Sequence, residues 1–246
     1  MRRCSRLIMP VIVFAVAQAE GAERKPAVDA APRRLDGALL TAQFARAIES
    51  QDTLRFSSDV VSNFGDATLL KLLRSGSTDE RRAAAYALGA VGKFESNLAL
   101  ARGLKDPDVV VRSMTDRALR AVWFRADTPE NNERLRKIMT AIELERFDQA
   151  LDLANDLIAR APGFAEAWNQ RAIIHFFNGR TADSISDCRK TIELNPVHLG
   201  ALAGLGQCHL RMGDRAAALV VFRRALEINP FDQSLAATVE ALQAAN

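Results

Sequence analysis

The sequence predicts an all-α fold, an α-solenoid of stacked antiparallel helix pairs, and three observations carry that prediction. Pro162, Pro196 and Pro230 stand 34 residues apart, with small and bulky residues repeating at matching places before each of them. Earlier in the chain, the stretch Asp79 to Leu88 matches the one within Asp108 to Leu119, with Arg81 on Arg112, Ala87 on Ala118 and Leu88 on Leu119 at an offset of 31. No strand-like alternation of useful length competes with either pattern. A chain of 246 residues with 48% hydrophobic and 26% charged residues can bury a real core and is not a disordered polymer. Its eight prolines and 13 glycines exclude collagen-like or linker-like material.

The N-terminus reads as a leader. A cationic start (Arg2, Arg3, Arg6) precedes the apolar run Leu7 to Ala17, and Ala17-Gln18-Ala19 offers the small residues of a cleavage site, so residues 1–19 form a signal peptide cut after Ala19. At 1.5 Å per residue the run covers roughly 16 Å, well short of the ~30 Å hydrocarbon core. Cys4 lies before the run, whereas a lipoprotein cysteine would follow it. Cleavage removes three arginines and no acid, which turns the formal +3 into 30 basic against 30 acidic residues. No later stretch approaches 18 apolar residues, so no membrane span is expected after cleavage, and the compartment expected is periplasmic or extracellular. Residues 20–36 mix charge, alanine and two prolines without periodicity and read as a flexible linker.

Residues 37–127 carry the earlier repeat. Helices follow the acidic turns Ser77-Thr78-Asp79 and Asp106-Pro107-Asp108, whose side chains can cap free N–H groups of a helix start. Leu69 to Arg74 and Leu98 to Leu104 supply the preceding helices of two pairs, and Leu54 to Gly65 reads as a worn third copy. This region resembles the short bacterial type of HEAT repeat. The change of repeat type falls near Ala126 to Glu130.

From residue 131 the 34-residue period governs, giving units 131–164, 165–198 and 199–232. Ala172 and Gly206 are the small residues of first helices, and Ala150, Ser184 and Ala218 those of second helices. Gly179-Arg180 and Gly213-Asp214 mark the tight turns between them, and each proline ends a second helix. This order of small, bulky and proline positions resembles the tetratricopeptide repeat. The first unit departs from it, with Arg134 where Trp168 stands and Ile138 in the small slot, as a terminal repeat often does. Residues 233–245, with Leu235, Val239 and Leu242 at i, i+4 and i+7, read as a capping helix.

The tetratricopeptide resemblance implies that first helices line a concave face. The stripe Asn169, Ile173, Phe176 and Phe177 is then the default partner site, flanked by Leu135, Met139 and Ile142 before it and Gln207, Leu210 and Arg211 after it. Such a strip suits an amphipathic helix or an extended apolar peptide, unless curvature or the HEAT-like region covers it. The carboxylate clamp of cochaperone-type relatives is absent, because Leu135, Met139, Gln170, Gly200 and Gly204 occupy its positions.

Other chemistry finds little support. His175 and His209 recur 34 apart on helices whose axes lie about 8–10 Å from each other, awkward for a shared metal, and are read as filling the repeat's tyrosine slot with internal hydrogen bonds. Cys188 and Cys208 fit buried apolar roles, with a disulfide as the alternative. Gly200 to Gly206 follows no strand and precedes no Lys-Ser/Thr, which argues against a phosphate loop. No catalytic motif is recognised, and neither a metal nor a cofactor is expected. Export, near-zero charge and the absence of interleaved aromatics disfavour nucleic acid. Residues 67–128 hold 11 basic and seven acidic groups; Arg74, Arg81, Arg82, Arg112, Arg117 and Arg120 form either a basic edge or turn-bridging pairs with aspartates, the latter favoured.

The function expected is a non-enzymatic, exported scaffold that binds a protein partner. The alternatives are an accessory subunit or unrecognised enzyme of the cell envelope, which a polar pocket near Trp123 and Arg134 would favour, and a structural homo-oligomer.

Overall fold

Side-chain caps start three of the helices in the first half of the chain. The computed structural model describes residues 37–244; the leader and the linker lie outside the described residues. Helices α1 (Gly37–Ser50), α2 (Thr53–Asn63), α3 (Asp66–Ser75) and α4 (Thr78–Val91) are followed by α5 (Asn97–Leu100), which runs into a 3₁₀ turn (Ala101–Lys105), and by α6 (Val109–Phe124). Asp52 accepts from the Arg55 amide at 2.9 Å, Ser77 and Glu80 form a reciprocal capping box, and Asp108 accepts from the Val111 amide at 2.9 Å. The apolar segment 98–104 is therefore not one regular helix. Gly103 lies so close to α6 that a Cβ would stand 2.4 Å from the Thr115 hydroxyl, and the chain tightens into 3₁₀ geometry there.

Arginines of this region pair with aspartates, across turns at Arg81 and Arg82 and within α6 at Arg120. Arg81 reaches Asp106 at 2.7 Å, Arg82 reaches Asp108 at 2.8 Å, and Arg120 pairs with Asp116 at 3.0 Å. The Arg82 guanidinium and the Val111 amide hold the Asp108 carboxyl down at about 2. Arg125 donates to the Leu88 and Gly92 carbonyls, satisfying the end of α4.

Three pairs follow: α7 (Pro129–Glu143) with α8 (Phe147–Arg160), α9 (Ala165–Phe177) with α10 (Thr181–Leu194), and α11 (Leu199–Arg211) with α12 (Arg215–Ile228). The fold is all-α, and no strand occurs among the described residues. Ala150, Ser184 and Ala218 are all buried where second helices approach first helices. Gly206 is pressed against the Phe222 ring, which a Cβ would meet at 2.2 Å. The turn inside each pair has one residue in the left-handed region, 34 apart: Glu145 (φ 56°), Gly179 (φ 74°) and Gly213 (φ 79°). Glutamate there is strained by roughly 1 kcal/mol relative to the two glycines. Helix α13 (Gln233–Ala244) buries Val239 and Leu242 against Ala218 and Phe222 and closes the last pair.

The N-terminal helices do not merely extend this row. Helix α6 packs on α9, and the 3₁₀ turn packs on α12. Val197, Leu199 and Ile228 join the N-terminal apolar core, and the Arg112 guanidinium lies 3.9 Å from the centre of the Phe231 ring. The N-terminal region thus runs along the edge formed by the turns between pairs, residues 195–199 and 229–232.

Candidate functional site

Between α9 and α11, backed by α10, lies an apolar recess of about 140 Å³. Helix α9 contributes Asn169, Ala172, Ile173, Phe176 and Phe177, α10 contributes Ser184 and Cys188, and α11 contributes Gly200, Gly204 and Gln207. The recess exists because α11 presents glycines: a Cβ on Gly204 would stand 3.4 Å from the Cys188 sulfur, so any longer side chain would fill the space. Its rim is aromatic. Phe176 and Phe177 meet edge to face at 6.1 Å, Phe177 stacks on Phe147 at 5.6 Å, and Phe177 remains 62% exposed. Arg211 donates to the Phe176 carbonyl at 2.7 Å and places its guanidinium 4.6 Å from the Phe176 ring.

Asn169, Ile173, Phe176, Phe177 and Gln207 therefore come together around one opening, with Arg211 at its margin. Leu135 does not join them: it is 1% exposed, inside the core of the first pair. Met139 and Ile142 pack against that same core, and Leu210 packs on the cluster around Phe222. Leu135 shares the buried core of the first pair with Ile138, which fills the small slot there.

The histidines expected to bond internally are farther from their partners. His175 lies 3.7 Å from Asp187, whose oxygens are taken by Arg171 at 2.8 Å each, and its Nδ1 has no partner. His209 is 3.7 Å from Asp214, beyond hydrogen-bond range. Burial lowers the His175 pKa, so the ring is neutral near pH 7. Cys188 and Cys208 are free thiols; burial pushes Cys188 up to about 12, and the Cys208 thiol lies 3.2 Å from the Ser184 hydroxyl.

At the opposite end of the same helices is a buried polar cluster that periodicity does not reveal. Glu166, 2% exposed, accepts from Asn169 (2.8 Å), Gln170 (2.7 Å) and His198 Nε2 (2.8 Å). His198 Nδ1 accepts the Ala201 amide at 3.0 Å, so the ring proton facing Glu166 sits on Nε2. Burial pushes the Glu166 carboxyl up, but His198 and the amide donors outweigh it and hold it below its ordinary value. Trp123 stacks on His198 at 4.4 Å and donates to Asn97 at 2.6 Å; Asn97 in turn donates to Asn195 at 2.7 Å. The surroundings of Trp123 are thus filled, and Arg134 pairs with Asp156 at 3.6 Å. The one available signal was positional: His198 occupies the repeat place of Phe164 and Asp232, where a buried ring or a cap is needed. Among the described residues, no group of three or more His, Cys, Asp or Glu is placed to hold a metal. Nor is any helix there long and apolar enough to cross a membrane.

Comparison with known proteins bears on this region. Residues 135–196 and 200–232 match family models described as tetratricopeptide repeat. Both stretches are similar to the tetratricopeptide repeat. The chain is 32% identical over 130 residues to a TPR repeat-containing protein of Rhizobium etli, covering 53% of this chain and 63% of that protein. It is 31% identical over 97 residues to the Hsp70-Hsp90 organizing protein of Triticum aestivum, covering 39% of this chain and 17% of that one. The chain thus spans less than two thirds of the length of these curated relatives. Among solved structures, the first TPR of Spaghetti (RPAP3) bound to an HSP90 peptide is similar at 19% identity and a TM-score of 0.46, covering 48% of this chain and 94% of that one. MamA from Desulfovibrio magneticus RS-1 is similar at 18% identity and a TM-score of 0.40, covering 80% and 98%.

Proposed function

We propose that this protein is an exported, non-catalytic interaction module that takes an apolar side chain of a partner helix or extended peptide into the recess between α9 and α11. The observation that carries this reading is the glycine-floored opening itself, apolar inside and rimmed by Phe176, Phe177, Gln207 and Arg211. Its volume of about 140 Å³ is well below the ~300–1,000 Å³ of sites that enclose a drug-sized molecule, and suits one branched or aromatic side chain. Gln207 is exposed beside it and offers an amide to a peptide backbone. Similarity to the Hsp70-Hsp90 organizing protein supports a protein-binding use. Export rests on residues 1–19, and the HEAT-like region acts as a buttress along the other edge.

A photo-reactive residue replacing Gln207 should give a discrete cross-linked partner in the native compartment, and Gly204→Leu, which fills the recess, should remove it. Identical adducts with and without Gly204→Leu would overturn the groove reading. Sequencing the isolated protein should give Glu20 as its first residue; a retained Met1 would refute export by cleavage.

A further inference from the structure

The turns inside the three pairs form an edge of their own, which meets the rim of the recess at Phe177 and Arg211. One apolar residue per pair stands out along it: Leu144 at 55%, Phe177 at 62% and Met212 at 63% exposure. Successive first helices pack about 8–10 Å apart, so the row is roughly 20 Å long. Exposed apolar residues recurring in line along one edge suit a contact surface.

The charges beside it identify the occupant. Glu143, Phe177 and Arg211 occupy one repeat position, 34 apart, and Arg146, Arg180 and Asp214 occupy another. At both positions the first and third pairs carry opposite signs, and the order of signs is reversed between the two positions. The arginine–aspartate pairs of this half run elsewhere, from Arg134 to Asp156 and from Arg171 to Asp187; the edge charges are exposed, with Asp214 accepting the Ala217 amide at 2.9 Å and Arg211 donating to the Phe176 carbonyl. A two-fold axis lying in the plane of the edge sets the first pair of one copy against the third pair of another while keeping each repeat position opposite itself.

We infer that the edge of intra-pair turns is a self-association surface for a second copy of this chain, arranged antiparallel. Phe177 then meets Phe177 near the axis, Leu144 meets Met212, Glu143 meets Arg211, and Arg146 meets Asp214. Arg180 alone faces its own like charge. With three apolar residues per copy at its centre the interface falls in the small, weak class, so the dimer is concentration-dependent and sensitive to salt. This surface does not depend on the recess having a ligand.

Sedimentation velocity of the purified protein over a concentration series tests it. The expected result is a monomer–dimer equilibrium that added salt weakens. Glu143→Arg alone and Arg211→Glu alone should each weaken the dimer about tenfold or more, since each copy meets two like-charge contacts. An equimolar mixture of the two variants should restore association, because both 143–211 contacts across the heterodimer are again between opposite charges. Arg180→Ser should tighten the wild-type dimer a few-fold, and Gly204→Leu should leave it unchanged, separating this surface from the groove. A wild-type protein that stays monomeric throughout, or a mixture that associates no better than either variant alone, would overturn the inference. Thermal melting followed by circular dichroism confirms that each variant is folded, so either failure counts against the surface.

Discussion

The two ends of α9 teach opposite lessons with the same helix. At its start, Glu166 is buried behind His198, on which Trp123 stacks, and each of its oxygens is met by a donor. At its end, Phe176 and Phe177 flank a recess that no side chain fills. The repeat fold makes both ends alike, and the N-terminal region makes them different by docking along only one edge. A buried carboxylate is tolerable only when its partners are fixed, whereas an exposed phenylalanine is inexpensive to the fold and is left for contact.

The comparison breaks most readily at the sealed end. Glu166→Ala leaves His198, Asn169 and Gln170 without their acceptor and should cost about 3–5 kcal/mol, read as a lower midpoint in urea unfolding. A loss below ~1 kcal/mol would mean that the seam is wet. The same end should respond to acid. Because the folded Glu166 carboxyl lies below its ordinary value of 4.5, its contribution is complete above that value and is lost as pH falls through the lower folded value. Urea midpoints should therefore drop as pH is lowered below 4.5, and Glu166→Gln should flatten that part of the profile.

Smaller effects lie at the open end. Glu145→Gly relieves the left-handed strain of the first turn, and after the added freedom of the unfolded chain is subtracted should raise stability by about 0.5 kcal/mol. Phe177→Ser should change folding stability by no more than ~0.5 kcal/mol, since the ring is mostly exposed, while weakening self-association. A large loss of stability on Phe177→Ser would show that the stack with Phe147 belongs to the core and would erase the contrast between the ends.

Much of this was legible in the chain. The 34-residue spacing of the prolines placed three helix pairs and their turns, because a repeat must bury the same small residues at the same places. The caps before α4 and α6, Ser77 and Asp108, were readable for a similarly local reason. The recess was half legible: Ile173, Phe176 and Phe177 share a helix face, but the opening needs Gly200 and Gly204 from the next pair as its floor. Leu135 was misread as a groove residue because periodicity assigns a face to a side chain without saying what covers that face. The Glu166–His198 pair was missed because its partners, Trp123 and Asn97, come from a region with another rhythm.

By itself, then, the sequence determined the local structure: helices, caps, turns and the period that stacks them, since each is decided by residues within a few turns of one another. Only the tertiary structure decided which edge of the repeats is sealed and which is open. That choice depends on where α6 and the 3₁₀ turn lie against α9, α12 and the 195–199 turn. Contacts between residues nearly a hundred positions apart, such as Asn97 with Asn195 at 2.7 Å, follow no period and are fixed by packing and hydrogen-bond satisfaction alone.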